Sequence, residues 1–592
     1  MESKKLPDFA LAHAKSWFAA LVPYSFSERE LLAIGKSFTN SDRRIFFVHT
    51  LPPSIIGAAL SMYSRLENER GIRGHFVDNL LPLVLLGMSR EFTSEESLAK
   101  DNKILVADMQ KFIKQNNLTS LDRFCEYSEE FESLFGEYCF NTNDSKYWEK
   151  LASSPRTRLF MSLFLDKYGH NSIARPVTLT FCVEQASILA VKSLEWVRPA
   201  AGYIELSTRF VRMDKAEVYP VWNEIAEESL QYEVKENIQT LLGSYQKFMQ
   251  DGALEKFFAE THRHLVPEKE LASATKGEAC DLLGNLLPAA TLTSVGVSVS
   301  GESFSSLIKH LRLDNTPECW ALSDALIEES KKVGGDQFLN HLEITKWQES
   351  NWSYLDYNRF LEEGSDFGLR MSKMISWHGT SAESVMAILS TAAFDLLPDF
   401  SLNTVRGPFD RLPNQFENIS GFFRGIMSFR GWRDIHRHGF CTHLRTRLTP
   451  ELGFYQYDKP MPEWLREEFE AANLRDRKVY ELMKEGSMPP QVMEYAFALG
   501  NLVGFHLGGN LAQMEFVAWQ RSKFSVNHEV RQVVLDLDEL LGSYYGFWHD
   551  LSRTDRTPVY IFARTAKGIP MMPAEPEISS SEPAVFLRRQ MD

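Results

Sequence analysis

Cysteine is scarce: six residues in 592 (Cys125, Cys139, Cys182, Cys280, Cys319 and Cys441), with no C-x-x-C pair among them. That excludes a disulfide framework and suits a reducing compartment, so the cytoplasm is the expected location. Basic excess is also missing. Lysine plus arginine number 64 against 79 acids, a net charge of −15, which repels polyanions and argues against a nucleic-acid partner. No apolar run approaches the length of a membrane span; NLLPLVLLGM at 79–88 is short and holds a proline, so no membrane is expected. The opening MESKKLPDFALAHAKSW lacks the apolar core and cleavage site of a secretion signal.

What is present is an ordinary globular composition, 44% hydrophobic and 12% aromatic, in a chain too long for one small domain. Residues 47–65 read as a strand, a turn and a helix begun at Pro52 and Pro53, followed by a mostly helical stretch to about 165. The run from Thr178 to Ala190 is apolar without a clean period, and strand and buried helix both remain open. Val234, Ile238, Leu241, Tyr245 and Phe248 form one stripe of an amphipathic helix, for which core packing is sufficient reason.

The second half repeats the order of the first. YIELSTRF (203–210), a helix, LLPAATLT (286–293) and a helix through SSLIKHLRL are matched by HRHGFCTHLRTRL (436–448), EWLREEFEAANLRDRKVYELM, MEYAFAL (493–499) and NLAQMEFVAWQR. The expected divisions are a first copy over 1–355 with a helical insertion at about 66–165, a second copy over 356–572, and a Pro/Glu/Ser tail, 573–592, too polar to order itself.

Three constellations could carry chemistry. Residues 424–447 hold Arg424, Arg430, Arg433, Arg437, Arg445 and Arg447 against one acid, Asp434, a local reversal of sign suited to phosphate or carboxylate. The bland alternative is a solvated face or internal salt bridges. His436, His438, His443 and Cys441 lie in the same stretch, but the arginines repel a divalent cation, so no metal is expected. Glu205, Ser207 and Arg209 alternate on an extended chain and would share one face; a plain ion pair is the alternative. Asn510 and Arg521 lie eleven residues apart, on one side of a helix about 16 Å apart along its axis. A helix cap and a solvated arginine are the alternatives there.

Together these residues resemble the flavin-dependent thymidylate synthases, or thymidylate-synthase-complementing proteins, in a tandem form with two divergent copies. The family signature is R-H-R-x-x-S-x-N-E-x-S-x-R-Y. In the first copy GHNS (169–172) and ELSTRF (205–210) resemble its two ends, with Val197, Arg198 and Pro199 in place of R-H-R. In the second, LPNQFEN (412–418) resembles the glutamate segment that precedes the signature, and Arg437-His438 its start, with Gly439 replacing the second arginine. Asn510 and Arg521 match a flavin-contacting asparagine and a nucleotide-binding arginine, whereas Ala512, Ser300, Glu302 and Leu311 depart from the pattern.

The resemblance implies an α+β fold, each copy a mostly antiparallel sheet packed with long helices. It implies methylation of dUMP to dTMP with methylenetetrahydrofolate, FAD and NADPH, in a homodimer of pseudo-tetrameric geometry. Its residue assignments are Arg521 as catalytic, Glu205, Ser207, Arg209 and Arg521 for the nucleotide, and Ser172, Arg437, His438 and Asn510 for the flavin. Each copy lacks what the other keeps, so the expectation is a composite of both. The alternatives are a non-catalytic homologue that keeps a flavin or nucleotide pocket, and flavin-dependent methylation of another pyrimidine nucleotide.

Overall fold

The computed structural model describes residues 6–51, 53–63, 67–94, 102–140, 174–196, 200–208, 211–262, 268–339, 342–351, 354–355, 360, 375–390, 410–523, 526–557, 559–560 and 569–570. The chain divides into two compact units, one of residues 1–211, 223–226 and 292–351, the other of 212–222, 227–291 and 352–592. Each unit is built on a four-stranded antiparallel sheet, and the fold class is α+β as expected.

In the first unit the strands are β1 (Ile45–Val48), β2 (Thr178–Ser187), β3 (Ala201–Glu205) and β4 (Leu292–Ser300), in the order β1-β2-β4-β3. The open question at Thr178–Ala190 resolves as strand β2 running into the helix Ile188–Leu194. β2 lacks alternation because both of its faces are covered. On one face Phe47, Phe181 and Phe304 pack ring to ring. On the other, Phe46 and Cys182 join a core built with Leu60, Phe76, Leu85, Phe124 and Phe131 from the helical stretch. That stretch is helical as expected over 71–88, 102–115, 121–127 and 129–140; residues 95–101 and the remainder to 165 lie outside the described residues. It covers that face of the sheet together with the helix Pro53–Tyr63, and a Cβ at Gly296 would come within 2.2 Å of Leu60 Cδ2 of that helix.

In the second unit the strands are β5 (Ser376–Gly379), β6 (Ser420–Ser428), β7 (Thr442–Arg445) and β8 (Leu502–Asn510), in the same relative order, β5-β6-β8-β7. The register matches too. Gly296 of β4 faces Cys182 and Ile204, and His506 of β8 faces Arg424 and Leu444. The face that Leu60 covers in the first unit is half open here: Phe422 is 36% and Leu444 44% exposed. His378, Phe422 and His506 stack across it with centroids 4.9 and 4.8 Å apart.

The duplication extends to one hydrogen-bond device. At the end of β2, Ser187 donates through its N–H and Oγ–H to the buried carboxylate of Glu318, at 2.8 and 2.6 Å, while its Oγ caps the following helix at Ala190. At the end of β6, Ser428 does the same toward Glu529, at 2.6 and 2.5 Å, and caps at Gly431. Thr316 and Asn527, each two residues before its glutamate, cap the helices that carry those carboxylates. The expected stripe lies on the helix Glu228–Asp251, where Val234, Ile238, Leu241 and Tyr245 are fully buried.

Candidate functional site

The asparagine helix of the second unit is Leu511–Arg521. It begins where β8 ends, because Asn510 closes a reciprocal cap: Gln513 N–H donates to Asn510 Oδ1 and Asn510 N–H to Gln513 Oε1, both at 2.9 Å. The Asn510 carbonyl oxygen is thus spent on the cap, and its Nδ2 makes no hydrogen bond to the described residues. Ser300 holds the same place in the first unit, capping Gly301–Leu313 through Ser303 N–H at 3.1 Å.

Arg521 stands in the last helical turn, where a cation complements the exposed carbonyls. Its Nε donates to His438 Nε2 at 2.8 Å and its Nη2 to the Asp434 carbonyl at 2.9 Å. His438 is held in turn by its own N–H to Ile435 O at 3.1 Å, while its carbonyl accepts from His443 Nε2 at 3.0 Å. As acceptor at Nε2, the imidazole carries its proton on Nδ1. Two residues assigned from the sequence, Arg521 and His438, therefore meet, 83 positions apart. Arg437 beside them is exposed.

Four residues of this region were not singled out from the sequence: Phe516, Trp519, Lys523 and Arg553. Phe516 is 38% exposed, 6.3 Å from the His438 ring and 5.8 Å from Trp519. Lys523 and Arg553 both lie over Trp519, at 3.7 and 4.8 Å from the ring centroid. The available signal was local: two aromatics three apart on the helix that ends in Arg521.

The arginine cluster is mostly consumed inside the fold. Arg430 pairs with Asp281 at 2.6 Å, and Arg445 and Arg447 share Glu494 at 2.6 and 2.7 Å. Arg424 donates to the Phe360 carbonyl and lies 4.1 Å over that ring. The local excess of positive charge is balanced by acids distant in sequence, which is the salt-bridge alternative.

In the first unit the strand carries only the start of the expected alternation. β3 ends at Glu205, whose side chain is fully buried and bound to Lys192 Nζ at 2.7 Å, with Glu195 on the same ammonium at 2.5 Å. Burial of a carboxylate demands such a partner, and the nearby helix supplies it. Ile204 and Leu206 do pack on the opposite face, against the helical core. Ser207 lies beyond the strand, half-buried; Ser172, Arg209 and the triplet 197–199 lie outside the described residues.

These features define a class: an α+β chain of two tandem sheet units, one carrying an anchored arginine at the end of its asparagine helix. Residues 123–333 match the family model described as thymidylate synthase complementing protein, which confirms the resemblance over that stretch. The UPF0159 protein of Thermoplasma acidophilum is 27% identical over 431 residues, 64% of this chain and 84% of the relative. That of Chlamydia pneumoniae is 22% identical over 517 residues, 76% and 93% of the two chains. A solved UMP/dUMP methylase, PolB from Streptomyces cacaoi bound with 5-Br UMP, aligns at 13% identity over 30% of this chain and 92% of that one, with a TM-score of 0.24.

Proposed function

We propose that the protein methylates a pyrimidine nucleotide by flavin-dependent chemistry, converting dUMP to dTMP with methylenetetrahydrofolate as carbon source, FAD as cofactor and NADPH as reductant. The observation that carries this reading is Arg521, fixed by His438 and the Asp434 carbonyl in a chain whose residues 123–333 match the thymidylate synthase complementing family. A guanidinium anchored at two of its N–H groups is a preorganised cation. Placed at the uracil carbonyls, it would stabilise the negative charge that builds as carbon 5 attacks the one-carbon unit.

The second unit offers two groups of the right chemistry for a flavin: the Asn510 Nδ2 amide for ring contacts and the exposed Arg437 for a pyrophosphate. When bound, the flavin supplies hydride transfer. His438 acts by orienting Arg521. A non-catalytic nucleotide-binding homologue is the second reading, favoured by the arginines already paired to Asp281 and Glu494 and by the tie of Glu205 to Lys192.

The separating experiment is a flavin titration of the purified protein with absorbance detection, followed by rescue of a thymidine-requiring host. Uptake of one flavin per chain with rescue supports the enzyme. Uptake without rescue supports the second reading, and no uptake at all overturns flavin dependence.

A further inference from the structure

Trp519 is half-buried, with two cations on its ring. One of them is neutralised. Arg553 forms a bidentate pair with Glu515, Nε to Oε1 at 2.8 Å and Nη2 to Oε2 at 2.9 Å, and the glutamate side chain is only 2% exposed. The other is not: among the described residues the Lys523 ammonium makes no hydrogen bond or ion pair, and the indole face is what it touches. Burial, and after it the Arg553 charge, pull the Lys523 pKa down.

In the first unit the positions matching Arg521 and Lys523 are Leu311 and Leu313. In the second unit a chain of contacts links Arg521 to Lys523: Arg521 bonds His438, and Lys523 lies over Trp519. Phe516 reaches toward His438 on one side and Trp519 on the other. A planar ligand could lie there with one end at Arg521 and a charged end at Lys523.

We propose that Lys523 anchors the anionic end, phosphate or carboxylate, of the ligand whose uncharged end meets Arg521. This rests on the reading of the Arg521 site as a nucleotide-methylating one. An anion would neutralise the half-desolvated ammonium, and the Trp519 ring beneath it would exclude water from one side of the contact. Phosphate could come from the nucleotide and carboxylate from the folate.

The test is competitive acetylation of the full-length protein, read at the peptide containing Lys523 by mass spectrometry. The probes are dUMP, deoxyuridine, methylenetetrahydrofolate and inorganic phosphate. Slowing by dUMP and not by deoxyuridine supports the proposal with phosphate as the anion; slowing by the folate supports it with carboxylate. Slowing by inorganic phosphate alone upholds the anion anchor while overturning the nucleotide reading of the Arg521 site. An unchanged rate with all four overturns the proposal. As a second measurement, Lys523→Met should weaken binding of the protecting ligand by about tenfold, the size of one charge-assisted contact, and Lys523→Arg should restore most of it. Equal affinity of all three proteins would also overturn it.

Discussion

Asp476 offers a sharp test of how the second unit is held together. It lies within the helix Glu463–Glu485 with no exposed surface. Its Oδ1 accepts from Asn237 Nδ2 at 2.8 Å, and its Oδ2 from Ala498 N–H at 3.0 Å and Asn501 Nδ2 at 2.5 Å. One carboxylate thus ties the helices Glu228–Asp251 and Glu463–Glu485 to the turn that launches β8 and, beyond it, the Arg521 helix. Burial pushes its pKa from 3.8 up to about 6, and the three donors offset this only in part.

A folded pKa above the unfolded value means that the folded protein binds the proton more tightly. The stabilisation from this group is therefore complete below pH 3.8 and lost as pH rises through 6. A shift of about two units, at about 1.4 kcal/mol each, amounts to about 3 kcal/mol. Asp476→Asn removes the titration, and Asn237, whose Oδ1 has no partner, can turn its amide to meet the new one at the expense of its 2.9 Å bond to the Ala496 carbonyl, a cost that does not vary with pH. Glu184 and Glu529 are also buried with raised pKa values, so the wild-type profile alone mixes several groups. The difference between the two proteins isolates Asp476. Urea unfolding of both from pH 4 to 7.5 should show that difference moving by about 2 kcal/mol in favour of the variant as pH rises, the rest being lost already below pH 4. A difference that stays constant with pH would refute the reasoning.

Three further outcomes follow from the same geometry. Arg521→Ala should lower turnover by about 100-fold or more while leaving flavin uptake intact, read by tritium release from 5-tritiated dUMP; unaltered release would remove its assigned role. Glu529→Ala strands the Ser428 N–H and hydroxyl, and Glu318→Ala strands those of Ser187, so each should cost about 1–3 kcal/mol in urea unfolding. A loss in one unit only would contradict the equivalence of the copies. Lys192→Met leaves Glu195 and Glu205 buried without their cation and should cost about 3–5 kcal/mol by the same assay, whereas adding Glu195→Gln and Glu205→Gln should recover most of it.

Much of the architecture was legible in the chain because its signals are local or periodic. The stripe from Val234 to Tyr245 fixed one helix, and the repeated order of elements foretold two sheets of the same strand order. β2 could not be separated from a buried helix, because a strand covered by Phe304 on one side and the Phe46–Leu60 core on the other has no polar face to alternate. The candidate site was legible only so far as His438 and Arg521, read from separate segments, meet in the fold. It failed where partners are distant. Nothing near Arg445 announces Glu494, nothing near Glu205 announces its buried tie to Lys192, and Lys523 and Arg553, which meet over Trp519, are thirty residues apart in the chain.

The central claim is that the anchored arginine of the second unit serves methylation of a pyrimidine nucleotide. Its most direct measurement is dTMP formation by the purified protein given dUMP, methylenetetrahydrofolate, FAD and NADPH, followed by mass spectrometry alongside Arg521→Ala. The account predicts flavin-dependent dTMP from the wild type and almost none from the variant. Absence of product from a wild-type protein that has bound flavin, or equal product from both proteins, would contradict it.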